Sequence, residues 1–244
     1  MGYPAIKVSR EKLKHNTKIL AEKCGRLGID IVPVTKVYCG IPEIAEASVA
    51  AGAKMLADSR IENIIKLKEL NAEKMLLRIP MLSQVDEIVE HVDISLNSEY
   101  EVIKALSGKA LQRGKIHKII LMVDLGDLRE GVWYKDAVEF AGRIVRLPGI
   151  KLVGLGTNLT CYGAVIPSVE NLGLLAALAE EIEKKYDIKL DIISGGNSSS
   201  LHLVEKNEVP KGINQLRLGE AIVLGNETAY GERIEDTYGD VFTY

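Results

Sequence analysis

The sequence has few cysteines, no excess of one charge and no long apolar run, and each shortage removes a class of function. Three cysteines, Cys24, Cys39 and Cys161, are an odd number without C-x-x-C spacing, and the four histidines, His15, His91, His117 and His202, are scattered. No H-E-x-x-H or other paired-ligand pattern accompanies them, so no metal site is expected. Basic residues number 31 and acidic residues 34, a net of −3 without a basic run. That balance carries no electrostatic footprint for nucleic acid or an anionic membrane. No apolar stretch approaches the roughly 20 residues of a membrane span, and the start M-G-Y-P-A-I-K-V lacks a charged region followed by an apolar core. The expected partners are small molecules and the expected compartment is the cytoplasm.

What is present is enough for one large core: 244 residues, 47% apolar and 27% charged, a length at which α/β barrels form single domains. Short β-branched or apolar runs alternate with helix-length segments, the pattern of repeated βα units around a parallel sheet. Eight such runs are counted: Ile31 to Thr35, Lys54 to Asp58, Met75 to Pro80, Val92 to Asn97, His117 to Asp124, Lys151 to Asn158, Leu190 to Ser194 and Gln215 to Gly219. Helices are expected over Ile41 to Ala51, Ile61 to Leu70, Val85 to His91, Glu99 to Leu111, Tyr134 to Leu147, Val169 to Tyr186 and Ser199 to Lys206. A further helix, capped by Ser9 and reaching Cys24, precedes the first strand, with Leu13, Asn16, Ile19 and Leu20 on one face. Eight strands predict a (β/α)8 barrel, here over residues 1–231. No linker, low-complexity tract or repeat interrupts it.

Lys36 closes the first run, in I-V-P-V-T-K-V-Y-C-G. A lysine after a strand is ordinarily the first solvated residue, but an amine in a desolvated pocket at a barrel mouth is nucleophilic toward an aldehyde. The seventh run leads into S-G-G-N-S-S-S, comprising Ser194, Gly195, Gly196, Asn197, Ser198 and two further serines. Glycine and serine also crowd ordinary turns. Their place after the seventh strand of a barrel, where phosphate groups are often held, makes an anion cradle the better reading. Arg217, in L-R-L-G-E-A with Gly219 and Glu220, needs a buried acceptor if it points inward. Arg129 follows M-V-D-L-G-D-L, where Asp124 and Asp127 are possible ion-pair partners, and Asn158 closes the sixth run.

These positions together resemble the pyridoxal-phosphate (PLP) alanine racemase fold. The segments V-T-K-V-Y-C-G, L-A-D-S-R, M-V-D-L-G-D-L-R-E-G, G-T-N-L-T-C-Y-G, S-G-G-N-S-S-S-L-H and A-Y-G-E-R resemble its ornithine racemase branch, and the resemblance covers essentially the whole chain. It implies that Lys36 forms a Schiff base with PLP and, once released, serves as a base on one face of the substrate. It further implies that Arg217 donates to the pyridine nitrogen. Ser198 and the backbone amides near Gly219 and Glu220 match phosphate-binding positions, and Arg129 matches an arginine near the cofactor's phenolic oxygen. Asn158 stands where alanine racemases carry a histidine, and Met122 where they often carry a carbamylated lysine, which argues against alanine as substrate. The implied activity is racemisation of ornithine or a related amino acid, by a protein that is a homodimer at full length.

Val241-Phe242-Thr243-Tyr244 alternates like the start of a strand with no partner left in the sequence, and the resemblance implies that residues 232–244 are a linker and the start of a second, β-rich domain. On that reading the group serving the other substrate face lies outside the chain. Two other readings compete. One is a barrel-only PLP-binding carrier or homeostasis protein without robust catalysis. The other is a metal- or nucleotide-dependent barrel enzyme, which lacks ligands and a G-x-G-x-x-G after the first strand.

Overall fold

A ring of parallel strands forms because their apolar runs must be buried on both faces, one toward the barrel axis and one toward the helices. The computed structural model describes residues 5–160 and 165–244; Cys161 lies outside them. In chain order the elements are β1 (Lys7–Val8), α1 (Arg10–Gly25), β2 (Asp30–Pro33), α2 (Pro42–Ala50), β3 (Met55–Asp58), α3 (Ile61–Lys66), β4 (Glu73–Leu76), α4 (Val85–His91), β5 (Ile94–Asn97) and α5 (Tyr100–Gln112). They continue with β6 (His117–Asp124), β7 (Val132–Trp133), α6 (Ala137–Ile144), β8 (Ile150–Gly156), α7 (Val169–Tyr186), β9 (Ile192–Ser194), α8 (Leu201–Glu205), β10 (Gln215–Leu218), α9 (Glu220–Leu224) and β11 (Phe242–Thr243).

The parallel strands follow the order β2-β10-β9-β8-β6-β5-β4-β3, and a bridge between Val34 and Ala57 joins the two ends into a (β/α)8 barrel. Along β6, Ile120 and Met122 point to the axis, where they meet Val32, Met75, Leu96 and Val153. Ile119, Leu121 and Val123 point outward beneath the helices. Burying each such side chain contributes roughly 1.5–3 kcal/mol. At the β8 bulge only glycine fits, since a Cβ on Gly154 would lie 2.0 Å from the Ile192 carbonyl oxygen.

The helices begin where their caps place them. Ser9 Oγ accepts from Lys12 N at 3.3 Å, as expected for the first helix. Ser168 and Asn171 form a reciprocal capping box at α7. The tail departs from expectation. Phe242–Thr243 finds a partner at the other end of the chain, pairing antiparallel with Lys7–Val8, and Ser9 N donates to Val241 O at 2.8 Å. Asn16 on α1 reinforces that closure by donating to Tyr238 O at 2.8 Å and accepting from Tyr238 N at 2.7 Å.

His117, at the start of β6, is buried with Nε2 2.7 Å from Ser95 Oγ, which accepts from Asn97 Nδ2 at 2.8 Å. Burial, opposed by Asp93 and reinforced more weakly by Lys115, pushes the imidazole down from 6.5 to about 4. The unfolded chain therefore takes up this proton near pH 6.5 and the folded chain only near 4. Between those values the unfolded state binds more protons, so stability is present above pH 6.5 and falls as the pH drops through the window. At 1.36 kcal/mol per unit the full loss is about 3 kcal/mol. Urea titrations at pH 7, 5.5 and 4 should show this decline, and His117→Gln should flatten it. An equal decline in the variant would place the titration elsewhere.

Candidate active site

The carboxyl ends of the strands open into a cavity of about 430 Å³, a size suited to a small ligand. Its wall brings together Lys36, Arg129, Asn158, Asn197, Ser198, Arg217, Gly219 and Glu220. Ser194, Gly195 and Gly196 are buried beneath the wall and shape it from below. Arg78, Glu130 and Thr228 also line it.

Lys36 does not directly follow the strand. The first barrel strand ends at Pro33, and Lys36 sits on a single 3-10 turn, Thr35–Tyr38, where it is exposed to the cavity rather than desolvated. The turn is held from below by the buried Asp58 carboxylate. Its Oδ2 accepts from Thr35 Oγ1 at 2.6 Å, and its Oδ1 accepts from Arg60 N at 2.9 Å and Asn63 Nδ2 at 3.0 Å. Lys66 Nζ closes the far end by donating to Cys39 O at 2.9 Å. Burial, with Asp58 nearby, raises the Tyr38 phenol well above its ordinary value and keeps it neutral.

Arg217 meets the requirement set by its position on a barrel strand. It is 4% exposed, Nη1 donates to Ser194 Oγ at 2.5 Å and Nη2 donates to Thr157 O at 2.7 Å. Ser194 Oγ in turn donates a hydrogen bond to Gln215 Oε1 at 3.0 Å, so this serine positions the arginine from beneath the cavity. Burial, opposed by the Glu130 carboxylate, pushes the guanidinium down to about 10, which leaves it charged at neutral pH.

Glu130 reaches the wall because the chain turns sharply after β6. Gly131 has φ +118°, and a Cβ there would lie 2.6 Å from Asp124 N. The Glu130 carboxylate accepts from Asn158 Nδ2 at 3.0 Å, and Asn158 Oδ1 accepts from Asn197 Nδ2 at 2.8 Å. Asn197 Oδ1 in turn accepts from Ser199 N at 2.8 Å, capping the Ser198–Ser200 turn that leads into α8. Ser198 is tied to the end of β10: its Oγ accepts from Ala221 N at 3.2 Å and its carbonyl from Thr228 N at 3.4 Å. Asp124 is committed to its own loop, accepting from Gly126 N at 2.8 Å and Leu128 N at 3.2 Å. Four cations, Lys36, Arg78, Arg129 and Arg217, face two carboxylates, Glu130 and Glu220, around the cavity. That excess suits an anionic ligand.

Sequence reading passed over Glu130, Arg78 and Asp58. Glu130 beside an arginine in a turn looks like solvated surface. Arg78 sat inside the expected run Met75 to Pro80, but the strand ends at Leu76 and puts it at the mouth. It carries the signal that singled out Lys36, a charge closing an apolar run.

A model of the family described as alanine racemase, N-terminal domain, matches residues 8–227. The chain is 45% identical over 241 residues to an ornithine racemase of Acetoanaerobium sticklandii, covering 98% of this chain and 68% of that protein. It is 42% identical over 229 residues to a lysine racemase of Thermotoga maritima, covering 93% of this chain and 64% of the relative. It therefore spans about two thirds of the length of each. Among solved structures, alanine racemase from Corynebacterium glutamicum superposes with a TM-score of 0.79 at 17% identity, covering 98% of this chain and 67% of that one, a likeness of fold. On the extent of the family match and the identity to these two relatives, the chain belongs to the alanine racemase N-terminal domain family.

Proposed function

We propose that the chain is the PLP-binding barrel of a racemase acting on basic amino acids, with ornithine and lysine as substrates. The observation that carries this reading is the convergence on one cavity of an exposed lysine, a buried charged arginine and a hydroxyl-rich turn tied to the end of β10. The names of the two relatives supply the substrate class.

The residues present fit the cofactor. Lys36 offers the amine for its aldehyde. Ser198, with the backbone at Gly219 and Glu220, offers donors for its phosphate, and the cation excess matches the phosphate charge. Arg217, which stays charged, would serve as a donor to the ring nitrogen and so disfavour its protonation. When bound, PLP supplies electron withdrawal that acidifies the substrate Cα proton. Lys36 would hold the cofactor's aldehyde and, once released, would take or return that proton on one face. Glu130 holds the Asn158 amide in place at the cavity wall and opposes the loss of charge on Arg217.

The test is exchange of the α-hydrogen of each enantiomer of ornithine, lysine and alanine in D₂O, followed by proton NMR with the PLP-loaded chain. One base suffices for exchange on its own face. Loss of the α-proton signal from ornithine and lysine, well ahead of alanine and of free PLP, supports the reading. Exchange no faster than with free PLP contradicts it.

A further inference from the structure

We propose that a cavity at the amino end of the barrel, opposite the mouth, is a second ligand site, for a small neutral aliphatic molecule that carries a carbonyl oxygen.

The cavity exists because the barrel has an incomplete seam. β2 bonds to β10 through Asp30 N, which donates to Asn214 O at 2.9 Å, and Val34 N, which donates to Leu218 O at 2.8 Å. Successive residues of a strand turn their backbone groups to opposite neighbours, so Ile31 and Pro33 turn theirs toward β3. Pro33 has no N–H to give, and among the described residues β2 and β3 are joined by the bridge between Val34 and Ala57 alone. Below that bridge the wall opens into a space of about 290 Å³. Asp30, Met55, Glu73, Ile192 and Gln215 line it from the barrel, each the first residue of its strand. Thr17, Ala21 and Gly25 on one face of α1, with the turn Ala51-Gly52-Ala53 after α2, close the outside with small side chains. A Cβ on Gly25 or Gly52 would meet no atom within 4 Å.

Gln215 gives this cavity its chemistry. The residue is 5% exposed, and its Oε1 accepts from Ser194 Oγ at 3.0 Å. Arg217 fixes which way that carboxamide lies, because a guanidinium has only donors. Ser194 Oγ accepts from Arg217 Nη1, so its own proton needs an acceptor, and Oε1 is the acceptor in reach. Nε2 is the end left over. Among the described residues it has no hydrogen-bond partner, and it opens on the cavity that Gln215 lines. A buried N–H in that position calls for an acceptor.

The rim decides the charge of the ligand. Lys54 stands there with Asp30 and Glu73, and Glu73 is already paired with Lys118 at 3.2 Å. The remaining charges balance, and one neutral amide does not offset the desolvation of an ion. An uncharged carbonyl oxygen against Nε2, with its hydrocarbon on Ile29, Met55 and Ile192, meets both conditions. The space is roughly twice the ~150 Å³ that admits a six-carbon ring.

The test titrates cyclohexanecarboxamide into the chain in the presence of PLP and follows proton–nitrogen correlation NMR spectra, with cyclohexanecarboxylate and cyclohexylmethylammonium as charged counterparts. Saturable shifts are expected at the Gln215 side-chain amide and at the backbone of Gly52 and Ala53, with a dissociation constant on the order of 1 mM. Both ions should bind about tenfold more weakly or worse. Ala53→Leu fills the cavity from a half-buried position at the far end from the mouth, and should abolish the shift at Gln215 while PLP uptake stays as it was. Gln215→Met keeps the length and removes the donor, and should weaken the carboxamide by up to about tenfold, read at Gly52 and Ala53. No saturable shift at Gln215, or one that survives Ala53→Leu unchanged, would overturn the proposal. Equal affinity for the carboxamide and either ion, or equal affinity before and after Gln215→Met, would also overturn it, since the hydrogen bond would then not select the ligand.

Discussion

Lys36→Ala is expected to reduce α-hydrogen exchange of ornithine to the level of free PLP. Loss of the proton-transferring amine alone costs roughly 10²- to 10⁴-fold, and the covalent hold on the aldehyde is lost with it. The fold should be unaffected, because the side chain is exposed and the turn beneath it is held by Asp58 through Thr35 and Asn63. An exposed substitution of this kind changes stability by no more than about 0.5 kcal/mol. Exchange within tenfold of the unsubstituted chain, at equal thermal stability, would mean that another group moves the proton.

The second large effect is on stability. Arg217→Glu removes the donors to Ser194 Oγ and Thr157 O and sets a second carboxylate near Glu130, where a cation stood. Breaking a buried charged arrangement by removing one partner costs about 3–5 kcal/mol. For a chain of this size that lowers the melting temperature by roughly 10 °C. Where PLP remains bound, the same change should let the ring nitrogen gain a proton and shift the cofactor absorbance. Thermal melts and spectra of one preparation read both effects. An unchanged melt together with an unchanged spectrum would show that Arg217 neither holds the barrel nor faces the ring.

The barrel was legible because its parallel strands are buried on both sides and read as unbroken apolar runs. β6 illustrates this, running His117–Asp124 in the structure and in the sequence reading alike. Strand ends were harder, since the chain leaves the sheet while its residues are still apolar. Leu77 and Ile79 extend the third run past the last ladder residue, Leu76, and this concealed Arg78. Pro33 ends the first barrel strand early for the same reason, and the turn bearing Lys36 depends on Asp58, a contact between strands that no local pattern reveals. The pairing of Phe242–Thr243 was hidden because its partner lies at the opposite terminus. Within the site, many residues that touch the cavity were readable from the βα order, and Ser194 was read as part of the anion cradle, but its place beneath Arg217 and that of Glu130 beside Asn158 emerge only from side-chain geometry.

The central claim is that Lys36 carries the cofactor. Borohydride reduction of the PLP-loaded chain, followed by proteolysis and mass spectrometry, tests it most directly. The account predicts one reduced pyridoxyl group per chain, on the peptide that contains Lys36, with loss of the visible absorbance band. A label on a different lysine, or none on folded protein saturated with PLP, would contradict it.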